Sequence, residues 1–150
     1  MGRPTYEVEY EQMLLGRHAL AAHGGRSKES VLERSSYILL SRIRVQGPMS
    51  IGELSDAFGL DASTLNRQTA SAMRAGLAER IPDPDGGLAR KFRITDKGAR
   101  ILDEERERTV GSLDRVMADW PEEDIAEFAG YLRRFNTGIE RLGGRPWPRP

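Results

Sequence analysis

Residues 47–76 read GPMSIGELSDAFGLDASTLNRQTASAMRAG, and the punctuation of this stretch decides the fold. Gly47-Pro48 closes a preceding helix, because proline cannot continue one and glycine takes a left-handed cap without strain. Ser50 with Glu53 makes a capping box, which opens a short helix with Leu54, Ala57 and Phe58 inward. Gly59 ends that helix, Leu60 fills the turn, and Asp61 caps a second helix over about residues 62–75. Gly76 closes it. Two short helices joined by a glycine turn form a helix-turn-helix.

A hairpin follows. Leu77 to Ile81 can be a strand, and Pro82-Asp83-Pro84-Asp85-Gly86-Gly87 is dense turn chemistry. From Arg90 to Ile94 the residues alternate, with Phe92 and Ile94 on one face and Lys91 and Arg93 on the other. Residues 77–95 therefore read as a wing beside the helix-turn-helix. A second helix that enters a DNA major groove needs a polar outer face without acids. Projected on a helix, Ala62, Leu65, Thr69, Ala72, Met73 and Leu77 fall inward, while Ser63, Thr64, Arg67, Ser71 and Arg74 fall outward with Asn66 and Gln68 at the flanks. Arginine can bond a guanine edge bidentately, asparagine or glutamine can do so with adenine, and hydroxyls suit phosphates. These seven outward and flanking residues, with Ser50 at the entrance and Arg90 on the wing, are the candidate contacts to double-stranded DNA. The competing reading is a winged helix that serves as a protein-interaction module without DNA binding. It requires exposed apolar residues on the second helix, where this chain has Arg67 and Arg74.

The flanks are helical. Tyr6, Tyr10, Met13, Leu14, Arg17 and Ala21 share one face of a helix over about residues 5–22. After His23-Gly24-Gly25-Arg26, Ser27 or Ser30 caps a second helix, Ser30 pairing with Glu33, with Val31, Leu32, Ile38, Leu39, Ile43 and Val45 buried. Downstream, Thr95 caps a long helix to about residue 118 with Leu102, Thr109, Leu113, Val116 and Trp120 along one side. Pro121 and Glu122-Glu123-Asp124 start a last helix, striped with Ile125, Phe128, Leu132, Phe135, Ile139 and Leu142. The expected fold is mainly α with a small β-hairpin wing. N-terminal helices for dimerisation and scaffold span residues 1–46, the winged helix-turn-helix lobe 47–98, C-terminal dimerisation helices 99–142 and a flexible tail 143–150. A lobe of about 50 residues does not need three extra helices to complete its core, so their stripes are expected to meet a second copy of the chain. The alternative is packing of all three within a monomer.

The stretch from Tyr37 to Leu102 resembles the MarR family of winged-helix transcriptional regulators. The resemblance rests on Gly47-Pro48-Met49-Ser50-Ile51-Gly52-Glu53-Leu54, on Thr64-Leu65-Asn66-Arg67, on Ala75-Gly76-Leu77 and on Arg93-Ile94-Thr95-Asp96-Lys97-Gly98. It implies a homodimer on a pseudo-palindromic operator, with the two recognition helices about one DNA turn apart (~34 Å), acting as a repressor released by a small aromatic or phenolic ligand. It also implies an effector pocket between the lobe and the dimer helices, for which Met13, Arg17, His18 and Tyr37 are candidates. Their blander roles are a core tyrosine with a bonded hydroxyl, a dimer salt bridge at Arg17 and a plain surface at His18. One departure stands out. The wing tip of the family carries an acid and then one or two arginines, and this chain has Gly86, Gly87 and Leu88 there. Arg90 is the nearest replacement, unless it pairs with Glu79 or Asp83 on the hairpin.

Composition narrows the rest. The 150 residues carry 23 basic and 23 acidic side chains, no cysteine and two histidines. That excludes a disulfide scaffold, a thiolate nucleophile, a cysteine zinc site and a thiol redox sensor. No catalytic residue, metal site or cofactor is expected. No apolar run nears the ~18 residues of a membrane span, and nothing reads as a signal peptide, so a cytoplasmic protein without a membrane partner is expected. Zero net charge removes the bulk basic signal of many DNA binders, but the charges are sorted. Residues 62–78 hold two arginines and no acid, and residues 86–100 hold five bases against Asp96. Such a chain is expected to rely on geometry and base contacts more than on bulk attraction.

Overall fold

The computed structural model describes residues 2–24 and 32–150, with side chains described for 2–18 and 32–150. Its elements are α1 (Pro4–Gly24), α2 (Arg34–Gln46), α3 (Ile51–Phe58), α4 (Ala62–Arg74), β1 (Ala78–Ile81), β2 (Lys91–Ile94), α5 (Asp96–Val116) and α6 (Glu122–Gly143). The fold is mainly α with one small hairpin, as the sequence implied. Helix α1 forms one unit and the chain from Leu32 onward another. On α1, Tyr6, Tyr10, Met13 and Leu15 are all exposed.

In the second unit, Leu39, Leu40, Ile43, Met49, Leu54, Leu65, Phe92 and Leu102 form the core. Each large apolar side chain so buried contributes about 1.5–3 kcal/mol relative to exposure. Helix α2 departs from expectation in two ways. It starts at Arg34 with Glu33 in the N-cap position and no side-chain cap bond, whereas Ser27, Ser30 and Val31 lie outside the described residues. Its buried face is Leu39, Leu40, Arg42 and Ile43, with Ile38 half-buried and Val45 exposed. The reason is that α2 packs against α4, α5 and β2 at once, which widens the buried face and makes α2 part of the lobe that holds the helix-turn-helix rather than of an N-terminal segment ending at 46.

The local punctuation follows the sequence. Ser50 Oγ accepts from Glu53 N–H and Glu53 Oε1 accepts from Ser50 N–H, both at 3.1 Å. Gly59 closes α3 in the left-handed region at φ +65°, and Asp61 caps α4. Strands β1 and β2 pair antiparallel with Ala78 opposite Ile94 and Glu79 opposite Arg93. The sequence did not show that Met49 also bridges to Phe92, with Phe92 N–H donating to the Met49 carbonyl at 2.8 Å. That bridge fastens the entrance of the helix-turn-helix to the wing.

The tightest point is the junction of α4, the hairpin and α5. Thr95 N–H donates to the Leu77 carbonyl (3.0 Å), and Thr95 Oγ1 donates to the Gly76 carbonyl (2.7 Å) while accepting from Gly98 N–H (3.0 Å). A Cβ at Gly98 would lie 2.1 Å from the Leu77 carbonyl oxygen. Only glycine lets α5 approach the backbone this closely.

Helix α5 ends at Val116, so Trp120 falls in the turn after it and meets Phe128 in a tilted ring contact with centroids 5.6 Å apart. Helix α6 starts behind Pro121 and buries none of its residues. The tail after Gly144 has no helix or strand, but the expected flexible tail is instead fastened to the lobe. Glu140 accepts from Trp147 N–H (2.7 Å) and from both Nη atoms of Arg149 (2.9 and 2.6 Å), and Trp147 stacks on Phe58. Alternating prolines at 146, 148 and 150 restrict the chain enough for one tryptophan and one ion pair to hold it.

Two outcomes follow. Gly98→Ala is expected to destabilise the protein by about 1–3 kcal/mol, because backbone rather than a flexible side chain must give way. A shift of the urea midpoint to lower concentration checks this. The Arg149 guanidinium, followed by the Trp147 N–H, holds the Glu140 carboxyl down at about 2. A lowered folded pKa stabilises above the unfolded value and is lost as pH falls through the folded one. The tail is therefore expected to stay seated at neutral pH and to detach as pH falls from about 4.5 toward 2. Trp147 emission in a Trp120→Phe background, red-shifting only in that window, reports it.

Candidate nucleic-acid interface

Helix α4 buries Leu65, Thr69 and Ala72, and Thr69 satisfies its hydroxyl by donating to the Leu65 carbonyl at 2.8 Å. Ser63, Asn66, Arg67, Ser71 and Arg74 are exposed on the outer side, with no acid among them. Ala62, expected inward, is exposed because it stands in the first turn, ahead of the point where the helix meets the core.

Asp61 organises the start of this helix. Its carboxylate accepts from the Thr64 hydroxyl, from Thr64 N–H at 2.9 Å and from Ser63 Oγ at 3.2 Å. These bonds, the Thr64 hydroxyl first, hold its pKa below the ordinary carboxylate value. Thr64 Oγ1 accepts in turn from Arg67 Nη2 at 3.4 Å. The hydroxyl protons of Ser63 and Thr64 are thus committed to Asp61, and a phosphate oxygen needs a donor. In this geometry the two hydroxyls order the helix start, and Thr64 also meets Arg67. Ser50 differs: its Oγ only accepts within the capping box, which leaves its O–H to donate. Gln68 is half-buried and its Oε1 is sealed from solvent without a partner, so a bidentate adenine contact needs a different rotamer.

The wing is electrostatically settled before any ligand arrives. Glu79 pairs with Arg93 across the hairpin, with Nε 3.0 Å from Oε1. Lys91 Nζ lies 3.2 Å from Glu53 Oε1 and 3.7 Å from Asp83 Oδ1. The bond to Glu53 raises the Lys91 pKa, while the Ser50 backbone N–H and then Lys91 lower that of Glu53. Both hairpin acids considered as partners for Arg90 are therefore taken by other bases. Arg90 is exposed and makes no ion pair among the described residues, which leaves it available to DNA. At the tip, Leu88 is fully exposed. A Cβ at Gly87 would lie 2.3 Å from Asp83 Oδ2, so a side chain at 87 would have to turn the Asp83 carboxylate away from Lys91 and the Asp85 N–H.

Of the candidate effector residues, Met13, Arg17 and His18 lie exposed on α1. Tyr37 is half-buried on α2, and its hydroxyl accepts from Arg106 Nε at 3.2 Å. A cavity of about 280 Å³ lies elsewhere, lined by Asn136, Ile139, Glu140, Trp147 and Arg149. Among the described residues no group of three His, Cys, Asp or Glu could hold a metal, and no helix is long and apolar enough to cross a membrane. Sequence reasoning missed Lys91 as the base that neutralises the interface acids. Strand alternation sets Lys91 on the face away from Phe92, but its pairing with Glu53, on another element, leaves no signal in the sequence.

A capped helix-turn-helix with an acid-free outer face and a two-stranded wing defines a winged-helix DNA-binding protein. Residues 32–87 match the model of the MarR family. The chain is 32% identical to the HTH-type transcriptional regulator YxaD of Bacillus subtilis over 136 residues, covering 91% of this chain and 95% of that one. It belongs to the MarR family of transcriptional regulators. Two solved structures share the fold. A MarR family protein from Bacillus stearothermophilus has a TM-score of 0.71 at 24% identity, covering 93% of this chain and 99% of that one. The PcaV transcriptional regulator from Streptomyces coelicolor, solved in complex with its natural ligand, has a TM-score of 0.61 at 23% identity, covering 87% and 92%. DNA as the partner, rather than a protein groove, follows from the family.

Leu88→Arg, which restores a cation where the geometry has room, is expected to raise DNA affinity and steepen the slope of log K against log salt by about 0.9 per wing. Arg90→Ala is expected to flatten the slope by a similar amount. Slopes unchanged in both variants would show that the wing does not reach the DNA backbone.

Proposed function

We propose that the chain works as a homodimeric repressor that occupies a pseudo-palindromic operator and is released by a small aromatic or phenolic ligand. The observation that carries the dimer is the bare apolar face of the C-terminal helices. Leu113, Val116, Phe128, Tyr131, Leu132, Phe135 and Ile139 are all exposed, and a 22-residue helix, α6, has no buried residue. An isolated soluble chain rarely leaves so continuous an apolar surface in water. A second copy covering it accounts for the stripe on α6 and for the exposed tyrosines of α1.

In this reading Asn66, Arg67, Ser71 and Arg74 face the major groove, Ser50 donates to a phosphate and Arg90 follows the adjacent minor groove. Ser63 and Thr64 position Arg67 through Asp61. Met13, Arg17, His18 and Tyr37 remain the residues proposed to meet the ligand. The relative PcaV binds a natural ligand, which supports ligand control. A compact dimer on a promoter blocks access sterically, which favours repression.

Arg67→Ala is expected to weaken specific binding by about 1–3 kcal/mol per half-site while sedimentation still shows a dimer. Unchanged affinity in a gel-shift titration removes Arg67 from the interface. A wild-type chain that sediments only as a 16.8 kDa species at micromolar concentration overturns the dimer.

A further inference from the structure

The tail from Gly144 to Pro150 leaves α6 and grips the turn of the helix-turn-helix itself. Arg145 N–H donates to the Glu140 carbonyl, and Arg145 Nε donates to the Asp56 carbonyl, both at 3.2 Å. The guanidinium lies against Gly59, where a Cβ would come within 2.9 Å of Cζ. The Trp147 ring stacks on Phe58 with centroids 5.4 Å apart, and Arg42 Cζ lies 4.6 Å from the centroid of the same indole. Arg42 is 7% exposed, its Nε donates to Gln46 Oε1 at 2.8 Å, and its Nη1 has no partner, so the indole is the main cover over a buried cation. Arg149 and Trp147 N–H are both fastened to Glu140, which stands on α6. One end of this tail is therefore α6, and the other is the Asp56–Gly59 segment from which α4 departs.

The geometry points to the tail as a positioning strap: Trp147, seated by Glu140 and Arg149, fixes the angle between α6 and the helix-turn-helix, and with it the half-site spacing the dimer accepts. The inference rests on the dimer reading above. Helix α6 buries no residue of its own, and the strap ties it to the lobe in addition to the covalent path through α5 and the turn at 117–121. Small angles matter here. A tilt of about 6° carried over the ~34 Å between half-sites displaces a recognition helix by about one base-pair step. Trp147 touches no DNA in this account and acts through α3.

The experiment uses the full chain and an operator recovered by selection from random DNA with the wild-type protein. Affinity is measured on operators whose half-site spacing is changed by single base pairs, and on a duplex with one half-site, for wild type, Trp147→Ala and Trp147→Phe. Wild type is expected to lose affinity sharply away from the selected spacing. Trp147→Ala is expected to stay dimeric by sedimentation and to bind the single half-site as wild type does. Its discrimination between spacings is expected to shrink by about fivefold or more. Trp147→Phe, which keeps a ring on Phe58, is expected to restore it. A Trp147→Ala spacing profile like that of wild type, or an equal loss on every duplex including the half-site, overturns the strap. Wild-type indifference to spacing overturns the dimer reading, and the strap with it.

Discussion

The close approach of Gly98 to the Leu77 carbonyl is the constraint on which the rest of the lobe depends. It brings the start of α5 against the end of α4, where Thr95 bonds both Gly76 and Leu77. Helix α4 is then held at both ends, by Asp61 at its start and by this junction at its finish. A helix that must present arginines to a groove within a fraction of an ångström needs such anchorage more than it needs intrinsic helical propensity. The Met49–Phe92 bridge adds a third fixed point by tying the wing to the entrance of α3.

The neutral charge balance gains a physical meaning from the same arrangement. Asp61, Glu53, Asp83 and Glu79 sit close to the surface that would meet phosphates, yet each is committed to a donor or a base within the lobe. Arg74 and Arg90, which make no ion pair among the described residues, and the positioned Arg67 then act as local contacts instead of a diffuse field. Binding built this way favours register and base edges over bulk counterion release.

Much of this was legible in the sequence because caps and turns are local. Ser50–Glu53, Gly59, Asp61 and Thr95 act within a few residues of themselves, and each does what its spacing implied. What escaped was non-local or competitive. Ser63 and Thr64 read as phosphate donors by their face, but Asp61 stands within three residues and takes both protons. Leu40 and Arg42 are missing from the one-sided buried face expected of α2, whereas the helix meets three neighbours and buries both. The tail read as loose because GGRPWPRP has no periodicity. What it has is one tryptophan, with a partner 89 positions earlier at Phe58, and no sequence spacing reveals such a pair.

Hydroxyl-radical footprinting of the wild-type protein on the DNA it selects tests the central claim most directly, that two copies present their α4 helices to one face of a duplex. The account predicts two symmetric clusters of backbone protection centred about one helical turn (~34 Å) apart on that face. A single cluster, or protection without two-fold symmetry, would contradict it.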